Sequence, residues 1–180
     1  MKRSVVFTTI LLFVVYSASA QINQGQWMVG GNINFGSEKQ GNFKATHFNF
    51  SPGAGYFFIN NLAGGLLINI SSDKPDGGAA NNYTLVAPFM RYYFLPTPLK
   101  VNIFTDVNVG FGSGKINGTS AGINQFSISA GPAIFLNPHT AFEVSLFYKS
   151  QGGKYYEGGT GDRWNTFGLN IGFQIHLGRK

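Results

Sequence analysis

The stretch Phe167 to Leu177 constrains this chain more than any other. Phe167, Leu169, Ile171, Phe173, Ile175 and Leu177 alternate with Gly168, Asn170, Gly172, Gln174 and His176. Strict period-two patterning marks a strand, and at about 3.3 Å per residue this one is long enough for a tilted bilayer crossing. Its polar face carries small or uncharged residues rather than the Lys and Glu of a wetted surface. An apolar face opposite a confined, mildly polar one is the pattern of a transmembrane β-barrel strand.

Charge supports the same reading. Only 11% of residues are charged, while 16% are aromatic and Gly contributes 25 of 180. Soluble domains carry roughly 25% charge. The N-terminus reads as a leader, with Lys2 and Arg3 as the basic start, Val5 to Val15 as the apolar segment and Ala18-Ser19-Ala20 as the cleavage signal before Gln21. Domain organisation is then a secretory signal over 1–20 and one barrel over 21–180. Loss of Lys2 and Arg3 takes the basic count from 13 to 11, which against 7 acids leaves +4. That scattered excess excludes a nucleic-acid partner. With no cysteine, disulfides, Cys-based metal sites and a lipid-modified Cys are excluded. Later apolar runs are broken by Gly, Asn or charge, so closure into a barrel is the spanning solution left.

Eight strands are expected, at 26–36, 45–58, 62–72, 83–94, 100–111, 123–135, 140–151 and 163–177. Short connections fall at Asn60-Asn61, Pro96-Thr97-Pro98 and Asn137-Pro138. Longer ones, rich in Gly, Asn, Asp, Ser and Lys, fall at Ser37–Lys44, Asp73–Asn82, Gly112–Gly122 and Gly152–Asp162. Alternating tight periplasmic turns and longer outer loops belong to outer-membrane barrels. An even strand number puts both termini on the periplasmic side.

A weak repeat precedes each short connection: Ser51-Pro52…Tyr56-Phe57-Phe58, Ala87-Pro88-Phe89…Tyr92-Tyr93-Phe94 and Gly131-Pro132…Phe135-Leu136. Trp27, Tyr56, Tyr92 and Trp164 are the expected aromatic anchors at the membrane interface. Pro lacks a ladder donor, so a β-bulge is expected at each.

The elements Pro52…Tyr56-Phe57, Pro88-Phe89-Met90-Arg91-Tyr92-Tyr93-Phe94 and Gly172-Phe173-Gln174-Ile175-His176-Leu177 resemble the small outer-membrane β-barrel ("porin") family, the OmpA/OmpX-like eight-stranded barrels of bacteria with two membranes. The resemblance spans essentially the whole mature chain. It implies export through the general secretory pathway to the outer membrane, and a free-standing barrel. It also implies that Asn170, Gly172, Ile175 and Leu177 form the signal read by the barrel-assembly machinery. One departure is the Gly178-Arg179-Lys180 tail, where the family often ends on an aromatic.

Facing follows from alternation. Val29, Ile33, Phe35, Phe48, Phe50, Leu66, Ile68, Ile70, Ile103, Val107, Val109, Phe126, Ile128, Ile134, Phe142, Val144 and Leu146 are assigned outward. Asn32, Asn34, Asn49, Ser51, Asn102, Asp106, Asn108, Ser127, Ser129, Glu143 and Lys149 are assigned inward. The fourth strand is apolar on both faces, and Arg91 decides it. An outward Arg near the midplane costs about 2–4 kcal/mol, so Arg91 goes in with Phe89 and Tyr93. Arg91 then faces Asp106 across a hairpin, with Glu143 on the opposite wall, as a structural ionic network. Phe89, Tyr93, Phe104 and Phe147 are expected to fill the lumen against glycines such as Gly53, Gly55 and Gly131.

Catalytic patterns do not emerge. The lipid A deacylase type resembles a His-x-Ser pair and the palmitoyltransferase type an Asp-Ser pair. His47, His139 and His176 are followed by neither pattern, and the chain has no Asp-Ser. No cofactor and no metal are expected; His47 and His176 read as lumen hydrogen-bonders and His139 as a turn residue. Gly25-Gln26-Trp27 matches the Gly-x-Trp of lipocalins, but the charged exterior and terminal helix of that alternative are missing. The expected role is a monomeric structural or surface-interaction barrel. Its partners would be outer-membrane lipid and lipopolysaccharide, touched by Lys39, Lys44, Lys74, Lys115 and Lys154. A narrow channel or small-ligand transport barrel is the alternative.

Overall fold

A computed structural model describes residues 22–40, 43–75, 81–96, 99–116, 119–155 and 163–178, leaving aside the side chains of 35–45, 75 and 116. The leader and the side chains of Phe35, Lys39 and Lys44 lie outside that description. Eight strands follow in order: β1 (Trp27–Gln40), β2 (Phe43–Ile59), β3 (Leu62–Pro75), β4 (Asn81–Tyr93), β5 (Val101–Ile116), β6 (Thr119–Asn137), β7 (Thr140–Gly152) and β8 (Trp164–Leu177). Each pairs antiparallel with its neighbours, and β1 closes on β8 from Trp27↔Leu177 to Ile33↔Ile171. The architecture is an all-β, up-and-down closed barrel, as the alternation requires.

The strands run further into the long connections than expected. The β5–β6 ladder continues through Ser113↔Gly122, Gly114↔Ala121 and Lys115↔Ser120 to Ile116↔Thr119. Gly, Ser and Lys read as loop by composition, yet the ladder is made by backbone groups and tolerates them where the neighbouring strand is already in register. At the other end the connections are tight. Asn61, at φ 68°, supplies the left-handed residue of the two-residue β2–β3 turn.

The prolines are accommodated without the expected bulges. Pro52 pairs with Gly31, Pro88 with Leu66 and Pro132 with Ile103, each in an unbroken ladder. On the other side of the same residues the ladder lapses and resumes in the same register. Phe50↔Ile70 is followed by Gly53↔Leu67, Val86↔Phe111 by Phe89↔Asn108, and Ala130↔Leu146 by Ala133↔Glu143. A strand residue aims its N–H at one neighbour only, so a missing donor interrupts one seam and leaves the other whole. The register shifts lie instead beside the short turns, at Phe57/Ile59 and Phe135/Asn137.

Facing follows the alternation along the described strands as far as the register shifts beside the short turns, where Phe58 and Ile59 both stand exposed. Ile33, Phe50, Leu66, Ile68, Met90, Val109, Phe126, Leu169 and Ile171 stand exposed on the outside. Arg91, Asp106, Glu143, Phe89, Tyr93 and Phe104 are buried inside. Among the strand residues whose side chains are described, the outward positions carry charge only at Lys74 and Lys115, near the long-connection ends of β3 and β5. The exterior is thus a belt of apolar side chains far larger than a water-soluble monomer leaves uncovered.

Ahead of β1 the chain folds across the short-turn mouth. Ile22 is fully buried there against the lumen core, and its carbonyl accepts from Asn61 N at 3.0 Å. Gln24 N donates to Asn60 Oδ1 at 2.8 Å, and Gly25 N donates to Phe57 O at 3.0 Å. A single Ile in the polar run Gln21-Ile22-Asn23-Gln24 had no period to announce it.

Candidate functional site

Alternation brings three charges to one level of the lumen. Arg91 on β4 stands opposite Asp106 on β5, and its Nε donates to Asp106 Oδ2 at 3.2 Å. Glu143 reaches in from β7, and Arg91 Nη1 donates to both its oxygens, at 2.8 and 2.9 Å. Arg91 and Asp106 are each 4% exposed and Glu143 1%. The tighter pair is therefore the one across the lumen rather than the one across the hairpin. Tyr93 Oη donates to Glu143 Oε1 at 3.4 Å, Gln174 Nε2 donates to Glu143 Oε2 at 3.5 Å, and the guanidinium carbon lies 4.4 Å from the Phe104 ring centroid. Every charge in the cluster has a partner, which is the condition for burying it.

Below this level the barrel is solid. Phe57, Tyr93, Phe104, Phe135 and His176 pack ring against ring, with centroids 5.4–6.1 Å apart. His176 Nε2 lies 3.5 Å from Tyr93 Oη, and Ile22 closes the end. A void beside Gly30, Gly53 and Arg91 measures about 10 Å³, at the lower limit for one water. Glycine makes the packing possible: a Cβ on Gly55 would stand 2.8 Å from Phe89 Cζ, and one on Gly131 would strike Val144 O.

Above it the expectation of a filled lumen fails. A cavity of about 510 Å³ occupies the half towards the long connections, with Asp106 in its floor and Trp164 and Tyr155 at its upper end. The inward residues here are mostly Asn, Ser and Gln, whose volumes do not meet across the barrel, while the aromatic bulk is gathered below. Its walls are hydrogen-bonded ladders. Asn49 Nδ2 donates to Ser71 Oγ at 2.6 Å, while Gln151 Nε2 donates to Tyr83 Oη at 3.1 Å and to Gln125 Oε1 at 3.2 Å. The Ser51 hydroxyl lies 2.8 Å from Asn49 Oδ1 and 2.6 Å from Asn69 Oδ1. Lys149, inward on β7, stands 6.0 Å from the Phe147 ring centroid, and His47 Nδ1 meets Asp73 Oδ1 at 3.0 Å. Burial, with Asp73 and Tyr83 adding to it, pushes the Tyr155 phenol up to about 12, so it remains a neutral donor.

The other residues singled out from sequence fall in three places. Trp27, Tyr56 and Tyr92 stand on the outside at the short-turn end, where Trp27 and Tyr56 lie 5.3 Å apart edge to face and Tyr92 and Phe94 5.0 Å apart. Trp164 does not join them. It pairs with Gln151, whose side chain points into the lumen, and directly opposed residues share a face. Trp164, 62% exposed, stands at the upper end of the cavity. Among the assembly-signal residues, Asn170 and Gly172 face the lumen and Ile175 and Leu177 the outside. His139 lies in the β6–β7 turn, its Nδ1 3.3 Å from His176 O. Among the described residues, no three His, Asp or Glu converge as metal ligands would.

No protein-family model matches this chain. No curated protein matches it either. Among solved structures the chain is similar to one from "De novo design of transmembrane beta-barrels", with 14% identity and a TM-score of 0.39 over 86% of this chain and 98% of that one.

Proposed function

We propose that this chain is an exported, monomeric barrel of the bacterial outer membrane, similar to the OmpA/OmpX-like family, with a structural or surface-interaction role and no catalytic activity. The observation that carries the reading is the belt. Every charge along the membrane-length part of the described strands is turned inward, and large apolar side chains stand exposed outward. That surface is stable against hydrocarbon and costly against water, and closure leaves no unpaired strand edge. Trp27, Tyr56 and Tyr92 suit the interfacial layer on the periplasmic side. Lipid and lipopolysaccharide are the proposed partners outside, and the barrel-assembly machinery the partner during insertion, through Asn170, Gly172, Ile175 and Leu177.

The solid lower half speaks against the transport alternative. A solute would have to displace the Arg91–Glu143 pair, the Tyr93–His176 layer and Ile22 in turn. The test is fractionation together with gel migration. The mature chain should sediment with outer membranes, migrate differently before and after boiling, and give β-type circular dichroism. Recovery as a soluble periplasmic monomer without detergent sinks the reading. A large, selective conductance in planar bilayers would replace it with the channel.

A further inference from the structure

The upper cavity has features that a merely structural barrel does not need. We infer that it is a binding site for a small, neutral, hydroxyl-rich solute, the class represented by a mono- or disaccharide. Its 510 Å³ lies within the roughly 300–1,000 Å³ typical of small-molecule sites. The wall chemistry selects the class. Amides and hydroxyls offer donors and acceptors together, as a ligand rich in hydroxyls requires. Tyr83, Phe147 and Trp164 supply faces on which the C–H side of a sugar ring can lie. Acyl chains are disfavoured because they would strand the Asn, Ser and Gln groups without partners.

Charged ligands are disfavoured by the charge already there. Asp106 is held by Arg91, and His47 meets Asp73. Arg91 and Lys149 stand against Asp106, Glu143 and Asp73, so the described charges in and beneath the cavity sum to within one unit of neutral and neither sign is gathered to attract an ion.

A second observation points to a ligand. Asn69 is 7% exposed and lines the cavity, and its Nδ2 has no hydrogen-bond partner. Turning the amide over does not remedy this. Ser51 then accepts from Nδ2 and gives its one proton to Asn49, while Oδ1 takes the place that Nδ2 held. Either way half of a buried amide waits for a partner, in a protein whose other lumen amides are largely engaged. That atom is screened from the open cavity, so a bound hydroxyl meets it through a turn of the Asn69 side chain, as acceptor or as donor according to the amide's orientation.

The test uses the full mature chain refolded in an amine-oxide detergent, which carries no sugar headgroup. Its barrel state is checked first by heat-modifiable migration, so that a failed fold is distinguished from failed binding. The chain has two Trp residues, and Trp27→Phe leaves Trp164 as the sole reporter. Maltose and N-acetylglucosamine are titrated against lysine and glutamate at equal ionic strength, with saturation-transfer NMR as the second readout. The expected result is saturable quenching or shift of Trp164 emission by at least one saccharide at millimolar concentration, and none by the charged solutes. Asn69→Ala should weaken binding about tenfold, the equivalent of one hydrogen bond near 1.4 kcal/mol. Trp164→Ala, at an exposed position outside the packed lower half, should do the same by NMR. Absence of saturation with either saccharide overturns the inference, as does tighter binding of lysine or glutamate. Saturable binding that survives both substitutions unchanged places the ligand elsewhere and overturns it too.

Discussion

Removing Arg91 should be repaired by neutralising Glu143 and not by neutralising Asp106. Arg91→Met leaves two carboxylates on one level of the lumen, and loss of a buried partner costs about 3–5 kcal/mol. The two acids differ in what remains to them. Asp106 borders the 510 Å³ cavity, where water can reach it, and Asn108 Nδ2 lies 3.5 Å from its Oδ1. Glu143 is 1% exposed and keeps only Tyr93 Oη at 3.4 Å and Gln174 Nε2 at 3.5 Å. Most of the penalty therefore belongs to Glu143. Glu143→Gln alone should cost about 1 kcal/mol, because Arg91 still has Asp106 and an amide oxygen to donate to. Arg91→Met with Glu143→Gln should recover roughly 2–3 kcal/mol relative to Arg91→Met. Arg91→Met with Asp106→Asn should recover less than about 1 kcal/mol, since the uncompensated Glu143 remains. Urea unfolding of the refolded protein in lipid vesicles, followed by tryptophan fluorescence, compares the parent with Arg91→Met, Glu143→Gln, Asp106→Asn and the two double variants. Equal rescue by both partners, or additivity in both cycles, would refute the assignment of the cross-lumen pair as the dominant one.

Gly131→Ala should destabilise the barrel by about 1–3 kcal/mol in the same assay, because the added methyl meets the Val144 carbonyl. Gly122→Ala, with open space around it, should be within about 0.5 kcal/mol of the parent. Ile22→Ala should cost about 2–5 kcal/mol as a buried aliphatic truncation. Planar-bilayer conductance of that variant should stay negligible, because the Arg91 level still closes the lumen, and open-channel currents would show that Ile22 is the only seal. An epitope inserted at Gly77 or Gly118 should be labelled on intact cells and one at Asn60 should not; the reverse pattern would invert the topology.

Most of the fold was legible because one face of each strand meets a single environment. Once Phe167 to Leu177 set the period, the facing of β1, β3, β5, β6 and β7 followed from the same alternation. In β4, apolar on both faces, one Arg sufficed. Trp164 stands inward by its place in the β8 alternation, a stronger signal than an aromatic side chain near a strand end. The partnership of Arg91 with Glu143 is less accessible, since residues far apart in the chain meet only after closure, at a relative height set by the three successive registers between β4 and β7. The cavity was hidden for another reason. Whether inward side chains fill a lumen depends on how their volumes meet, and a run of Asn, Ser and Gln is compatible with a packed interior or an empty one. Pro52, Pro88 and Pro132 were read correctly as a hydrogen-bonding problem, but the remedy was a skipped rung rather than an extra residue.

Those skipped rungs divide the wall into units. The seams β1–β2, β3–β4, β5–β6 and β7–β8 are continuous, whereas β2–β3, β4–β5 and β6–β7 each lapse at a proline, and β2–β3 and β6–β7 also shift register beside their turns. The closing seam β8–β1 is paired only from Trp27↔Leu177 to Ile33↔Ile171. The barrel is thus four sturdy staves, each a hairpin closed at the long-connection end, joined edge to edge along looser lines. A wall of that kind suits stepwise insertion, in which each stave folds as a piece and docks on the last. It also sets where the finished barrel yields under stress: along the joins between staves, with the β8–β1 join, the shortest, parting first.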